Sequence, residues 1–397
     1  MTFNLTRRAV LGAAATFPFA RLAHAGDWAD TERVARGQTV YFNAWAGSDT
    51  INAYIKWAGD EVFKRYGVTL THVKIADAAE TVRRVRDEVA AGKADGSTDL
   101  IWINGENFRA MKQGKLLFGP FAESLPNFRF VDVEGKPTVL KDFTEPVEGL
   151  ESPWGMAQLT FFGDGAKVAK PPRSMVELLD FAKANPGRVS YTAPPDFYGT
   201  TFLKQVLVET VDDALVLANE ATADDFKTLA VPAFAFLDTL HPYLWREGKQ
   251  FPPAQAQLTQ MTADGELLIG ITFNPNEPAN LVAAGRLPPS TIAWQHAKGT
   301  IGNTHFVAIP INSRAKEGAE VIANFLLSPV AQLRKQQLDV WGDPTVLAVS
   351  KLPPDIARKF TKNPAAGSVT FPGPALTEPH ASIVAHIEAA WVERYGA

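Results

Sequence analysis

The order of apolar runs and helical periods between residues 38 and 117 constrains the fold most. Gln38–Ala44 (QTVYFNA) is a short run with strand character, and Thr50–Tyr66 has a helical period that stops at Gly67. Val68–Ile75 is a second run. Thr81–Ala91 is a second helix, with Val82, Val85 and Val89 on one side and Arg83, Arg84 and Arg86 on the other. Leu100-Ile101-Trp102-Ile103 is a third run, apolar throughout as a strand covered on both faces would be. Strand–helix–strand–helix–strand predicts a parallel, doubly wound start and an α/β fold.

The third run breaks at Asn104-Gly105-Glu106-Asn107, residue types that favour turns and caps. A helix follows, with Phe108, Met111 and Leu116 on one side. A strand that feeds a polar loop at a helix N-terminus is where open α/β sheets hold ligands. The plain alternative is an ordinary strand–helix unit with a polar connection.

The first 25 residues have the pattern of an export signal. Arg7-Arg8 precede the apolar run Ala9–Ala20, and Ala23-His24-Ala25 suits cleavage after Ala25. The arginine pair resembles a twin-arginine signal. A membrane anchor needs about 20 apolar residues, and this run is shorter and contains Pro18. Cleavage would remove three arginines and no acids, so the net charge moves from −4 to −7. A dispersed acidic charge argues against a nucleic-acid partner. No cysteine is present, which excludes disulfides, a thiol nucleophile and a lipidated cysteine. A chain of 397 residues exceeds one ordinary core and predicts two lobes.

Further along, Ser152-Pro153-Trp154-Gly155 leads into the apolar run Met156–Phe162, expected to be the first crossing between lobes. Ser174–Glu177 has capping-box spacing. Val189–Thr192 reads as a strand, and Ala193–Thr201 as a loop opening a helix over Phe202–Val211. Glu266–Phe273 reads as a strand running into Asn274-Pro275-Asn276-Glu277-Pro278. His305–Ile311 is a strand, Arg314–Leu327 a helix, and Ser382–Arg394 a closing amphipathic helix with Ile383, Ile387 and Trp391 inward. There is no repeat.

Enzyme motifs are absent: the chain has no HExxH, GxSxG, GxxxxGK[ST] or GxGxxG. No metal or cofactor is expected. Ser48 with His305 is the nucleophile–base pair that a secreted hydrolase, the rival reading, would need. What recurs instead is an aromatic and amide or hydroxyl pattern after strand ends. It comprises Asn43 and Trp45; Trp102, Asn104 and Asn107; Trp154; Tyr198, Thr200 and Thr201; Phe273, Asn274 and Asn276; and Asn303, Thr304 and His305. Small-molecule sites have this apolar wall with a few placed polar groups. Trp102 and Trp154 could equally be core, and Asn274 and Asn303 could simply close turns. Glu106 is the candidate partner for a cationic or amine-bearing ligand; otherwise it is a helix-start carboxylate stabilised by the local dipole.

Five stretches resemble one family: DLIWINGENFRAM, SPWGMAQLTFF, NPGRVSYTAPPDFYGTTFLKQ, GITFNPNEPANL and IGNTHFVAIPINS. The chain resembles extracellular solute-binding proteins of ABC importers, in the two-lobed class with spermidine-, thiamine- and iron-binding members, and within it a thiamine-like branch. The resemblance implies the type II periplasmic binding fold: two lobes, each a mostly parallel sheet flanked by helices, joined by hinge strands over a ligand cleft. It implies a soluble monomer in the periplasm, with a membrane permease and, through it, an ATPase as partners. The expected boundaries are residues 26–152 and 273–310 for lobe 1, and 153–272 and 311–397 for lobe 2. The resemblance also places Trp45, Asn104, Glu106, Asn107, Trp154, Tyr198, Thr200, Asn274 and Asn303 on loops facing the cleft.

Overall fold

The computed structural model describes residues 28–360 and 365–396. The export signal expected over residues 1–25 lies outside them. The chain opens with α1 (Trp28–Ala35), β1 (Thr39–Trp45), α2 (Asp49–Tyr66), β2 (Thr69–Ile75), α3 (Ala78–Ala90), β3 (Leu100–Ile103) and α4 (Glu106–Gln113). These elements follow the predicted strand–helix alternation. Gly67 ends α2 at φ 70°, a left-handed position that glycine takes without a Cβ penalty. The Asp77 carboxylate caps α3 by accepting from the Ala79 N–H at 2.8 Å. Short turns lead to the hairpin β4 (Lys141–Asp142) and β5 (Glu145–Pro146).

The chain leaves this lobe along β6 (Glu151–Gln158) and β7 (Thr160–Asp164). The second lobe contains α5 (Met175–Ala184), α6 (Phe197–Thr210), α7 (Ala223–Leu229), α8 (Val231–Leu240), α9 (Gln255–Ala263), β8 (Gly270–Thr272), α10 (Glu277–Ala283) and β9 (Thr291–Trp294). It returns along β10 (Thr300–Ala308) to α11 (Lys316–Leu326), α12 (Pro329–Gln336) and α13 (Pro354–Phe360). Then β11 (Val369–Phe371), β12 (Ala375–Leu376) and α14 (Ser382–Tyr395) close the chain.

In the first sheet the order is β12-β10-β3-β1-β2, with β6 also on β10. β1 is parallel to β2 and β3, whereas β10 runs antiparallel to β3 and β6. The second sheet, β11-β9-β7-β8, is mixed rather than mostly parallel. Its hinge strand β7 enters antiparallel to both β8 and β9. β10 spans the molecule. Its first residues pair with β12 and its last with β3, and from Gly302 to Ala308 it pairs with β6.

Packing redraws the expected boundaries. Val321, Ile322 and Phe325 of α11 share a core with Val40, Phe42 and Val62. Residues 311–360 therefore belong with the first lobe, not the second. The reason is chain economy: β10 has just returned to the first sheet, and the short connection to α11 keeps the helix beside it. Conversely, β9 pairs with β7, and Phe273 and Trp294 lie in the second core, so the stretch from 273 to the start of β10 stays in lobe 2. Ile383, Ile387 and Trp391 of α14 also join that second core.

Other differences are local. Val189–Thr192 forms no strand, and the Glu266–Phe273 strand is reduced to Gly270–Thr272. α6 starts earlier than expected, because the Asp196 carboxylate accepts from the Tyr198 and Gly199 N–H groups. Tyr198, Thr200 and Thr201 are thus first-turn residues, not loop residues.

Candidate functional site

The loop after β3 carries Glu106 at the start of α4. Its side chain is exposed to solvent, and charged groups of both lobes act on it. Crowding by protein raises its carboxyl above the ordinary glutamate value. Lys204 of α6 acts against the rise, and Glu388 of α14 and Asp77 beside α3 add to it. The Asn107 amide donates to Glu106 Oε1 at 3.2 Å and orients it.

Lys204 is the second anchor. Its ammonium is 2.6 Å from Glu378 Oε2, with both side chains almost fully buried. It lies 4.7 Å from the ring centroid of Phe143, on the β4–β5 turn of lobe 1, and 5.8 Å from that of Phe197 on its own helix. Asn303 of β10 donates to the other Glu378 oxygen at 3.0 Å. Glu378 therefore spends both oxygens inside the protein. The Thr200 hydroxyl donates to Glu388 at 2.6 Å. Tyr198 stands edge-on to Phe197, whose ring also meets Phe273 edge-on at 5.2 Å. Burial pushes the Tyr198 phenol well above its usual range, with Glu277 and Asp196 adding to it.

The lobes also meet at a second place. Asn274 and Asn280 donate to the Trp341 carbonyl at 3.1 and 2.6 Å, and Asn276 donates to the Gly342 carbonyl. Asn274, expected on the cleft wall, is thus a lobe-to-lobe tie. Gly342 has φ 81°, and a Cβ there would lie 2.9 Å from Asn276 Cβ. On the outer rim, Arg109 pairs with Glu145 at 3.2 Å and reaches Glu220 of the other lobe.

Asn107 bonds Glu106 within lobe 1, whereas Thr200 bonds Glu388 and Tyr198 meets Phe197 within lobe 2. Asn104 is half-buried in the same β3–α4 loop. Trp45 is half-buried at the end of β1, its ring lying so close to Gly47 that a Cβ there would be 2.2 Å from it. Thr201 is buried with its hydroxyl unpartnered. Asn43 is fully buried and donates to Thr81 at 3.2 Å, which makes it a support for α3. Trp154 is wholly enclosed, its ring packed against Trp102 at 4.9 Å, Trp341 at 5.3 Å and Tyr54 at 6.3 Å. It is core, not wall. Trp102 belongs to the same cluster, half-buried, with His305 at 5.2 Å. The hydrolase pair does not form: His305 bonds Asp343 at 3.1 Å, and Ser48 bonds Thr50 at 2.8 Å.

Sequence reasoning missed Phe143, Phe197, Lys204, Glu378 and Glu388. One signal was available: Lys204-Gln205 interrupts the otherwise apolar Phe202-Leu203 and Val206-Leu207, so a charge had to be buried there.

Two lobes joined by long hinge strands and touching through Arg109–Glu220, Asn274–Trp341 and Lys204–Phe143 have the layout of a clamshell. The chain belongs to the bacterial extracellular solute-binding protein family, whose model matches residues 57–366. It is 46% identical over 379 residues to protein YnjB of Escherichia coli (strain K12), covering 95% of this chain and 96% of that one. Among solved structures, the fold matches the periplasmic binding protein AfuA from Actinobacillus pleuropneumoniae, with fructose-6-phosphate bound. The TM-score is 0.60 at 15% identity, over 90% of this chain and 99% of that one. It also matches the spermidine/putrescine substrate-binding protein PotD from Streptococcus pneumoniae. There the TM-score is 0.57 at 13% identity, over 90% and 96% of the two chains. Among the described residues no helix is long and apolar enough to cross a membrane.

Proposed function

We propose that the protein captures a small cationic, amine-bearing solute between its lobes and delivers it to a membrane permease driven by an ATPase. In this reading it is exported to the periplasm, cleaved after Ala25, and works as a monomer without catalysis. One observation carries the ligand class. The buried cation of α6, Lys204, is already neutralised by Glu378, which leaves exposed Glu106 and half-buried Glu388 as mutually repelling negative charge. An ammonium would neutralise that charge, and the exposed Phe197 ring offers a face to a cation, whereas the buried Phe143 ring already packs on Lys204. Closure then follows because the cation bonds both lobes only when they approach.

A thermal-shift screen of amines, vitamins, sugars and phosphonates tests the class: amines should raise the melting temperature and anionic solutes should not. With an amine that binds, Glu106→Gln removes a charge-assisted bond and is expected to cost about 1.5–3 kcal/mol, roughly ten- to hundredfold in Kd. Glu106 must be ionised to hold a cation, and its carboxyl titrates above the ordinary range. Affinity should therefore be full above that raised value and fall as pH drops through it, earlier than for a free glutamate. Glu106→Gln should flatten the profile. Unchanged affinity in the variant would remove the role assigned to Glu106.

A further inference from the structure

The turn between β4 and β5 is Phe143-Thr144, and Phe143 sits at φ 53°. A bulky residue seldom occupies the left-handed region, and such outliers persist where their surroundings over-determine them. Two contacts hold this one. On the lobe 1 side the ring lies against Gly105: a Cβ there would be 2.7 Å from ring atoms Cε2 and Cζ. The hairpin is pinned to the same loop by the Gly105 N–H, which donates to Asp142 Oδ2 at 2.7 Å. On the lobe 2 side the Lys204 ammonium lies over the ring, 4.7 Å from its centroid.

Both ends of this lobe-to-lobe contact are withdrawn from water. Phe143 is 5% exposed and Lys204 2%. Lys204 is joined to Glu378 at 2.6 Å, and Asn303 of hinge strand β10 holds the other Glu378 oxygen. The rim contact differs: the Glu220 side chain, which Arg109 reaches, is 66% exposed. Parting the lobes at the rim wets a pair that water already reaches. Parting them at Phe143 bares a phenyl ring and takes its face off a buried ammonium.

We propose that Phe143 is an interlobe bolt: a positioning residue whose ring, seated on Lys204, holds the lobes together before any solute arrives. The left-handed backbone puts the ring at the hairpin tip, between its two partners. By resting on Gly105, the same ring sets where the next residue, Glu106, stands relative to lobe 2. The consequence for capture rests on the cation reading above; the bolt itself does not.

Amine acetylation of ligand-free protein, read lysine by lysine by mass spectrometry, tests it. In the parent, Lys204 should react far more slowly than Lys227, whose side chain is 76% exposed. Removing the ring forfeits the burial of one aromatic side chain, so the lobes should part about ten- to hundredfold more often. Phe143→Ala should raise the Lys204 rate by that factor, while Lys335, enclosed within lobe 1, stays protected. X-ray scattering of the same variant should give a larger radius of gyration than the parent. If Lys335 also reacts, the variant has unfolded, and Phe143→Leu carries the test. Leucine keeps an apolar side chain at the tip but lacks the aromatic face, so Lys204 should still react faster than in the parent, by a smaller factor. In whichever variant keeps Lys335 protected, an unchanged Lys204 rate or an unchanged radius of gyration overturns the proposal. Neither measurement uses a solute, so a failed screen for amines leaves the bolt in place, and an unchanged Lys204 rate leaves cation capture in place.

Discussion

Replacing Lys335 with methionine is expected to cost about 3–5 kcal/mol of folding stability, the usual penalty for removing one partner of a buried ion pair. Lys335 and Asp343 are essentially fully enclosed and in direct contact. Burial lowers the Lys335 ammonium, and Asp343 opposes that shift. The His305 ring, on hinge strand β10, takes the other Asp343 oxygen at 3.1 Å. The cluster fits against hinge strand β6 only because residue 155 is glycine: a Cβ there would be 2.0 Å from Asp343 Oδ2. Without the ammonium, Asp343 is a buried carboxylate with one remaining side-chain partner. Lys335→Met/Asp343→Asn removes both charges and should recover much of the loss. Denaturant unfolding of the single and double variants checks this. Equal losses in the two would show that packing, not the unpaired charge, sets the cost.

Trp154→Ala should be comparably severe, about 3–5 kcal/mol, because it empties a large aromatic volume from a closed interior. The indole is 0% exposed and touches Phe42 and Tyr54 as well as Trp102 and Trp341. Had Trp154 been a ligand wall, as its place after a strand end suggested, the variant would stay stable and lose affinity. The packing predicts the reverse order of effects: a lower unfolding midpoint first, with affinity changing only through the weakened lobe. Trp102, half-buried at the edge of the same cluster, should cost less when truncated.

The contrast between Trp154 and Glu106 shows what sequence can and cannot reveal. The unit from Leu100 to Gln113 was legible because each piece has a local cause: an apolar strand, turn-forming residues, then a helical period. Its carboxylate therefore fell where a strand–loop–helix unit must put it. Trp154 was not, because an indole after a strand end reads the same whether it faces a gap or a core. α6 was misjudged at its start because Pro194-Pro195 and Thr200-Thr201 disfavour helix locally, while the Asp196 cap that overrides them becomes visible only once Tyr198 and Gly199 donate to it. The Lys204–Glu378 pair spans 174 positions, so neither partner announces the other. The lobe boundaries failed for a similar reason. Which lobe α11 joins depends on where β10 ends in space, and periodicity carries no such information.

A crystal structure of the protein with the amine that stabilises it most tests the central claim most directly. The account predicts an ammonium nitrogen within ion-pair distance of Glu106 of one lobe, with Phe197 of the other lobe against the ligand. A solute seated in the outer groove lined by Asn52, Phe63, His72 and Lys74, or held through an anionic group by Lys204 alone, would contradict it.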